Sequence, residues 1–223
     1  MLYLYHPEAG KPHLSLVGDE HRYIFKVRRH QQNETLYLRN LKDELLYHYV
    51  IDAIDKRSVE LSLRESQMLE VKGRLSLHIG WCVIDPKNIE KVLPSLNEIG
   101  VEKITFIYCK RSQKSFKLDL KRWEKILLNS SQQSGRSSMM QLEMAENLKQ
   151  FVTQYPKAKM VNFSDYKLND FQENIQTVVI GCEGGFSEEE VALFSPENIA
   201  GFDTPLVLKS ESAACAVAAK ILL

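Results

Sequence analysis

The stretch Thr177–Glu190, TVVIGCEGGFSEEE, constrains the fold more than any other part of the chain. Thr177, Val178, Val179 and Ile180 are strand-forming residues that end at Gly181, with Gly184 and Gly185 close behind. Ser187 and Glu190 then stand in the spacing of a capping box, the signature of a helix start. A buried strand, a glycine turn and a capped helix bring bare backbone N–H groups to the carboxyl edge of a sheet. Open α/β proteins bind ligands at that edge. The spacing is neither the dinucleotide fingerprint GxGxxG nor a P-loop, which needs a lysine beside Ser or Thr. Taken alone, these residues fit a ligand-free turn equally well.

The pattern around this stretch alternates strand and helix. LSLHIGWCVI (75–84), KITFIYC (103–109), AKMVNF (158–163) and TVVIG (177–181) read as strands. DPKNIEKVLPSLNEIG reads as a helix with Pro86 at its start, Gly100 at its end and Pro94 inside, where a hydrogen bond is lost or the axis kinks. A long helix follows over 117–136, and a closing helix over 212–223. Such alternation predicts a mostly parallel sheet with helices on both faces. Residues 1–70 differ: five short strand-like runs, at 2–5, 13–17, 34–40, 45–54 and 58–64, suggest a small barrel. Asp19 is placed to cap a helix over His21–Val27, and a hinge falls near Leu69–Arg74.

Zero net charge at first argues against a nucleic-acid partner, but its distribution does not. Lys103–Arg136 holds nine basic residues against Asp119 and Glu124, whereas Asp165–Asp203 holds nine acids against Lys167 alone. Segregation of this kind makes a local positive face on a neutral protein. Arg111, Lys114 and Arg122 of the basic segment, with Arg22, Lys26, Arg28 and Arg29 of the first helix, are candidate RNA phosphate contacts. Solvated helix faces would carry the same charges. No apolar run approaches the ~18 residues of a membrane helix, and the start lacks a secretory pattern, so a cytoplasmic protein is expected. Cys82, Cys109, Cys182 and Cys215 are widely spaced in apolar contexts, which predicts reduced, buried thiols and no metal site.

A second stretch, PLVLKSESAA (205–214), completes a pair of motifs. IGCEGGFSEEE and VLKSESAA together resemble the 16S ribosomal RNA (uracil-N3) methyltransferase family, of the SPOUT class of knotted, S-adenosylmethionine-dependent enzymes. The usual forms are IGPEGG and LGxRILRxETA, so Cys182 stands for a proline, and Leu206 and Lys209 stand for two arginines. RYIFKVRRHQQNE resembles the family's HHLxxVLRxxxGD, with Asn33 at the glycine position, a residue that also tolerates a left-handed backbone. NEIGVEKI and SQQSGR echo TELGV and EQxxR.

The resemblance implies a trefoil-knotted, mostly parallel α/β domain over 73–223, preceded by a small PUA-like β-barrel domain over 1–72. It implies S-adenosylmethionine held by three strand ends: Phe163 and Ser164; Ile180, Gly181, Glu183, Gly184 and Gly185; and Leu206, Leu208, Lys209 and Ser210. The Gly184–Gly185 pair would let the ligand approach where a Cβ would block it. It also implies a homodimer, with the small-residue closing helix at its interface, and 16S ribosomal RNA or the assembled small subunit as substrate.

The residue inventory agrees with methyl transfer. All six histidines precede residue 79, so the chain beyond His78 has no imidazole for a nucleophilic pair or a histidine metal site. Transfer from a sulfonium needs mainly alignment. A uracil N3 must lose its proton, so a cation that stabilises the anion and a proton acceptor are required. Arg136, Glu183 and Glu211 are the catalytic candidates, although Glu211 also fits a helix-start carboxylate and Glu183 a solvated turn residue. A relative acting on another RNA site, such as a ribose 2′-O, and an inactive RNA-binding assembly protein are the competing readings.

Overall fold

The computed structural model describes residues 2–170 and 175–223. The chain divides into two compact units, Met1–Lys72 with Ser131–Met139, and Gly73–Ser130 with Met140–Leu223. Among the described residues, no helix is long and apolar enough to cross a membrane.

In the first unit β1 (Leu4–Tyr5), β2 (His13–Val17), β3 (Thr35–Arg39), β4 (Leu45–Ile54) and β5 (Ser58–Met68) form one sheet in the order β1-β3-β4-β5-β2. β1 runs parallel to β3, and the other pairs are antiparallel. Period-two alternation sends Leu14, Leu16, Leu36 and Leu38 inward, against Tyr49, Ile51, Val59 and Leu61. Gly18, at φ +61°, turns β2 directly into α1 (Gly18–Arg22), which continues as a wider π turn over Tyr23–Val27. This corrects the expected start: Asp19 lies inside the first turn, and Val17 is the N-cap without a side-chain bond. Asn33 does adopt the left-handed backbone, at φ +69°. Residues 131–139 join this unit through backbone pairing. The Gln132 carbonyl accepts from Leu2 N at 2.8 Å, and Ser137 N donates to the Val71 carbonyl at 2.9 Å.

The second unit is built on β6 (His78–Cys82), β7 (Lys103–Ile107), β8 (Gln141–Ala145), β9 (Lys159–Val161), β10 (Thr177–Ile180) and β11 (Ile199–Ala200). Every pairing is parallel, in the order β11-β9-β10-β6-β7-β8. β6 is buried along its whole length, as a central strand covered on both faces must be. α2 (Pro86–Ile99) is capped by Asp85, whose carboxylate accepts from Lys87 N at 2.8 Å, and ends at Gly100 with φ +110°. Pro94 removes one donor, yet the helix continues to Ile99. α3 (Leu120–Ser134), α4 (Leu148–Gln154), α5 (Glu188–Val191) and α6 (Ser210–Leu222) complete the helices. α6 packs on α2 and buries Ala213, Ala214, Val217, Ala218 and Ile221. From β6 the chain steps outward through β7 and β8, returns to the far side for β9, and then inserts β10 between β9 and β6. The winding direction reverses there, which opens a crevice at the carboxyl ends.

Some expected elements are shorter than their apolar runs, since 75–84 yields β6 and 117–136 yields α3, whereas the closing helix begins two residues earlier than expected, at Ser210. The cysteine expectation is overturned in part. Cys82 and Cys109 form a disulfide with Cα atoms 5.6 Å apart, while Cys182 and Cys215 are free. Cys82 pairs in register with Ile107, and the chain folds back so that Cys109 N donates to the Ile107 carbonyl at 3.1 Å. Strand pairing thus joins thiols that sequence separation keeps 27 residues apart. Glu173, one of the nine acids of the acidic stretch, lies outside the described residues.

Candidate active site

A cavity of about 880 Å³ opens at the carboxyl edge where β10 enters the sheet. That is ample for a nucleoside-sized ligand. Its walls come from the exit of β9 (161–167), the loop after β10 (180–186) and the segment 201–213 that leads into α6. All eleven residues expected to hold the cofactor line it: Phe163, Ser164, Ile180, Gly181, Glu183, Gly184, Gly185, Leu206, Leu208, Lys209 and Ser210.

Hydrogen bonds fix these walls. The buried Ser210 hydroxyl accepts from Trp81 Nε1 at 2.8 Å and donates to the Gly181 carbonyl at 2.5 Å. This ties the start of α6 to the end of β10. Within the glycine loop, Gly185 N donates to the Cys182 carbonyl at 2.9 Å, and Gly185 takes φ +68°, a conformation that favours glycine. The Cys182 thiol donates to the Gly185 carbonyl at 3.6 Å and so reinforces the turn. The expected capping box is present: Ser187 Oγ accepts from Glu190 N at 3.3 Å, and the Glu190 carboxylate accepts from Ser187 N at 2.9 Å. The expected reason for Gly184 needs revision. A Cβ there would meet the Arg111 stem at 3.2 Å, so the neighbouring side chain is the nearest obstacle.

Of the catalytic candidates, Glu183 is exposed on the cavity wall, whereas Glu211 and Arg136 are not among the lining residues. Glu211 sits in the first turn of α6, where a carboxylate complements the helix dipole. Burial, with the Glu211 charge added, pushes the Cys215 thiol up. Arg136 belongs to the first unit and is 5 % exposed, with its carbonyl accepting from the Tyr3 hydroxyl at 2.7 Å. The candidate RNA contacts fall into two groups. Arg22, Lys26, Arg28 and Arg29 are all exposed on the first unit. In the second unit Arg122 forms a two-point pair with Glu90, at 2.9 and 2.7 Å, and Lys114 donates to the Tyr108 and Cys109 carbonyls. Arg111 donates to the Gly184 carbonyl at 2.7 Å.

Sequence reasoning missed Asn162, Asp165, Lys167, Phe186, Phe202 and Thr204, which also line the cavity. Extending the carboxyl-edge argument past Ser164 would have reached Asp165 and Lys167. Phe202 and Thr204 follow the two-residue β11, which has too few residues to show any period.

A family model described as RNA methyltransferase domain matches residues 71–222. Ribosomal RNA small subunit methyltransferase E of Helicobacter pylori is 40 % identical over 221 residues, covering 98 % of each chain. A protein from Legionella pneumophila, solved with bound S-adenosylmethionine as its cofactor, is 25 % identical over 98 % of this chain and 96 % of its own, with a TM-score of 0.79. Ribosomal RNA small subunit methyltransferase E of Neisseria gonorrhoeae, at 20 % identity, shares the fold over 98 % of this chain and 95 % of its own, with a TM-score of 0.80. With the family model spanning residues 71–222 and a relative 40 % identical over 98 % of each chain, the chain belongs to the RNA methyltransferase family, alongside the ribosomal RNA small subunit methyltransferases E.

Proposed function

We propose that this protein is a cytoplasmic, S-adenosylmethionine-dependent methyltransferase that modifies N3 of a uridine in 16S ribosomal RNA and works as a homodimer. One observation carries the reading: both motif loops, 180–186 and 206–210, wall a single cavity at the switch point of the parallel sheet. The donor set suits the cofactor. Ile180, Phe186, Leu208 and Ala213 offer apolar surface for adenine, while Asp165 and Glu183 offer carboxylates for ribose hydroxyls and an ammonium. Lys209 offers a cation for a carboxylate. When bound, the cofactor supplies a methyl carbon already activated on a sulfonium.

The protein's own work is then alignment and proton handling. Glu183 is our candidate to receive the N3 proton, and Arg136 our candidate to stabilise the uracil anion. Glu211 is the second carboxylate candidate. The first unit, with Arg22, Lys26, Arg28 and Arg29 exposed, is proposed as the PUA-like RNA-binding module, and Arg111, Lys114 and Arg122 as contacts from the second unit. Phe163, Leu206 and Val207 at the cavity mouth are 72–80 % exposed, an apolar rim that suits coverage by a second copy of the chain. The test is titration calorimetry with S-adenosylmethionine, followed by transfer of labelled methyl groups to small-subunit RNA. Saturable binding and transfer are expected; a folded protein that binds no cofactor would refute the reading.

A further inference from the structure

The segment just after β7 holds the glycine loop from outside. Glu190, 7 % exposed, uses one carboxylate oxygen to accept from Ser187 N and the other to accept from Lys110 N at 2.7 Å. The Lys110 ammonium also pairs with Glu189. One residue on, the Arg111 guanidinium donates to the Gly184 carbonyl, and its methylene stem lies where a Gly184 Cβ would point. Lys110 and Arg111 therefore grip both ends of the loop, at Gly184 and at the capped start of α5. Their own position is fixed by Cys109, bonded to Cys82 at the end of β6.

We infer that Arg111 and Glu190 are positioning residues that set the shape of the cofactor loop, and that Arg111 serves the cofactor site before it serves RNA. Neither side chain lines the cavity, so each acts through the backbone it holds. A charged donor fixed on the Gly184 carbonyl orients the Gly184–Gly185 peptide, whose N–H closes the turn on the Cys182 carbonyl, and so sets the shape of the cavity wall. The inference rests on the proposed use of this cavity for S-adenosylmethionine.

The experiment compares wild type with Arg111→Ala, Arg111→Lys and Glu190→Gln. Cofactor affinity is read by calorimetry, RNA affinity by filter binding, and folding by thermal melting. Arg111→Ala is expected to weaken cofactor binding about tenfold, with RNA affinity falling by a smaller factor, as for one phosphate contact among several, and the melting point within a few degrees of wild type. Arg111→Lys, which can still donate to the carbonyl, is expected to recover most of the cofactor affinity. Glu190→Gln is expected to raise the cofactor KM more than it lowers kcat. Cofactor affinity unchanged in Arg111→Ala, with RNA affinity lost, would overturn the inference and leave Arg111 as a phosphate contact. A wild-type protein that binds no cofactor would instead overturn the underlying functional reading.

Discussion

Trp81 Nε1 donates to Ser210 Oγ at 2.8 Å, across 129 residues of sequence, and that hydroxyl in turn holds the Gly181 carbonyl. Trp81 is fully buried in the central strand, so the bond anchors the second motif to the sheet's core rather than to its surface. Ser210→Ala leaves a buried indole N–H without its acceptor and frees Gly181. A loss of about 1–3 kcal/mol in urea unfolding is expected, with cofactor affinity falling about tenfold. Trp81→Phe keeps most of the volume and should cost less in affinity. Equal affinities in all three proteins would show that the relay only stabilises the fold.

Gly184 and Gly185 should respond to substitution for different reasons. At Gly185 a Cβ meets nothing within 4 Å, but φ is +68°, so Gly185→Ala should cost about 1–2 kcal/mol of backbone strain with the cavity intact. Gly184→Val should push the Arg111 stem off the loop. The double variant Gly184→Val/Arg111→Ala should then bind cofactor no worse than Gly184→Val alone, because both changes break one contact. Additive losses would mean that the valine acts on the ligand space instead.

His78 makes stability depend on pH. Burial, with the Lys103 charge adding to it, lowers its pKa to about 4 from 6.5. Its ring lies against Phe151 and Tyr155, with Nε2 2.8 Å from Thr105 Oγ1. The unfolded chain binds the proton more readily, so this contribution is complete above pH 6.5 and is lost as pH falls toward 4. By linkage the loss is roughly 2 kcal/mol at pH 5. Urea unfolding between pH 7 and 5 should show it, and His78→Leu should flatten the slope over that range.

RNA binding should be electrostatic. If roughly 5 phosphates are neutralised, log K falls with log[salt] at a slope of about −3 to −5. Charge reversal at the exposed Arg22 and Arg28 should weaken binding alike across RNA sequences. A flat salt response would count against these faces.

The parallel sheet was legible because its central strands are runs of buried apolar residues, and the glycine loop because a capping box and three glycines leave few alternatives. β8 and β11 were not legible. β8 is an edge strand with the mixed polarity of QLEMA, and β11 has only two residues. The cavity was legible as separate segments: every expected cofactor residue lines it, since carboxyl strand ends converge in this topology. The intramolecular partners of Arg111 and Arg122 were not, because charge patterning counts cations without saying which carbonyl or carboxylate lies beside them. The Cys82–Cys109 bond was hidden for a similar reason: it depends on strand register.

Arg136 separates positioning from chemistry. Its burial makes folding the first control, by thermal melting. In single-turnover assays with saturating RNA and cofactor, Arg136→Ala should lower the methyl-transfer rate by roughly 10²–10³-fold, the loss expected for one anion-stabilising donor. A rate fully restored at saturating RNA would mean that it only helps to hold the substrate.

The most direct measurement maps modified nucleotides in 16S ribosomal RNA from cells with and without this protein, by primer-extension arrest and mass spectrometry. The account predicts one N3-methyluridine that disappears on deletion, returns with the wild-type chain, and returns to a lower level with Ser210→Ala at physiological cofactor levels. An unchanged 16S modification pattern, or loss of a ribose 2′-O-methyl group instead, would contradict it.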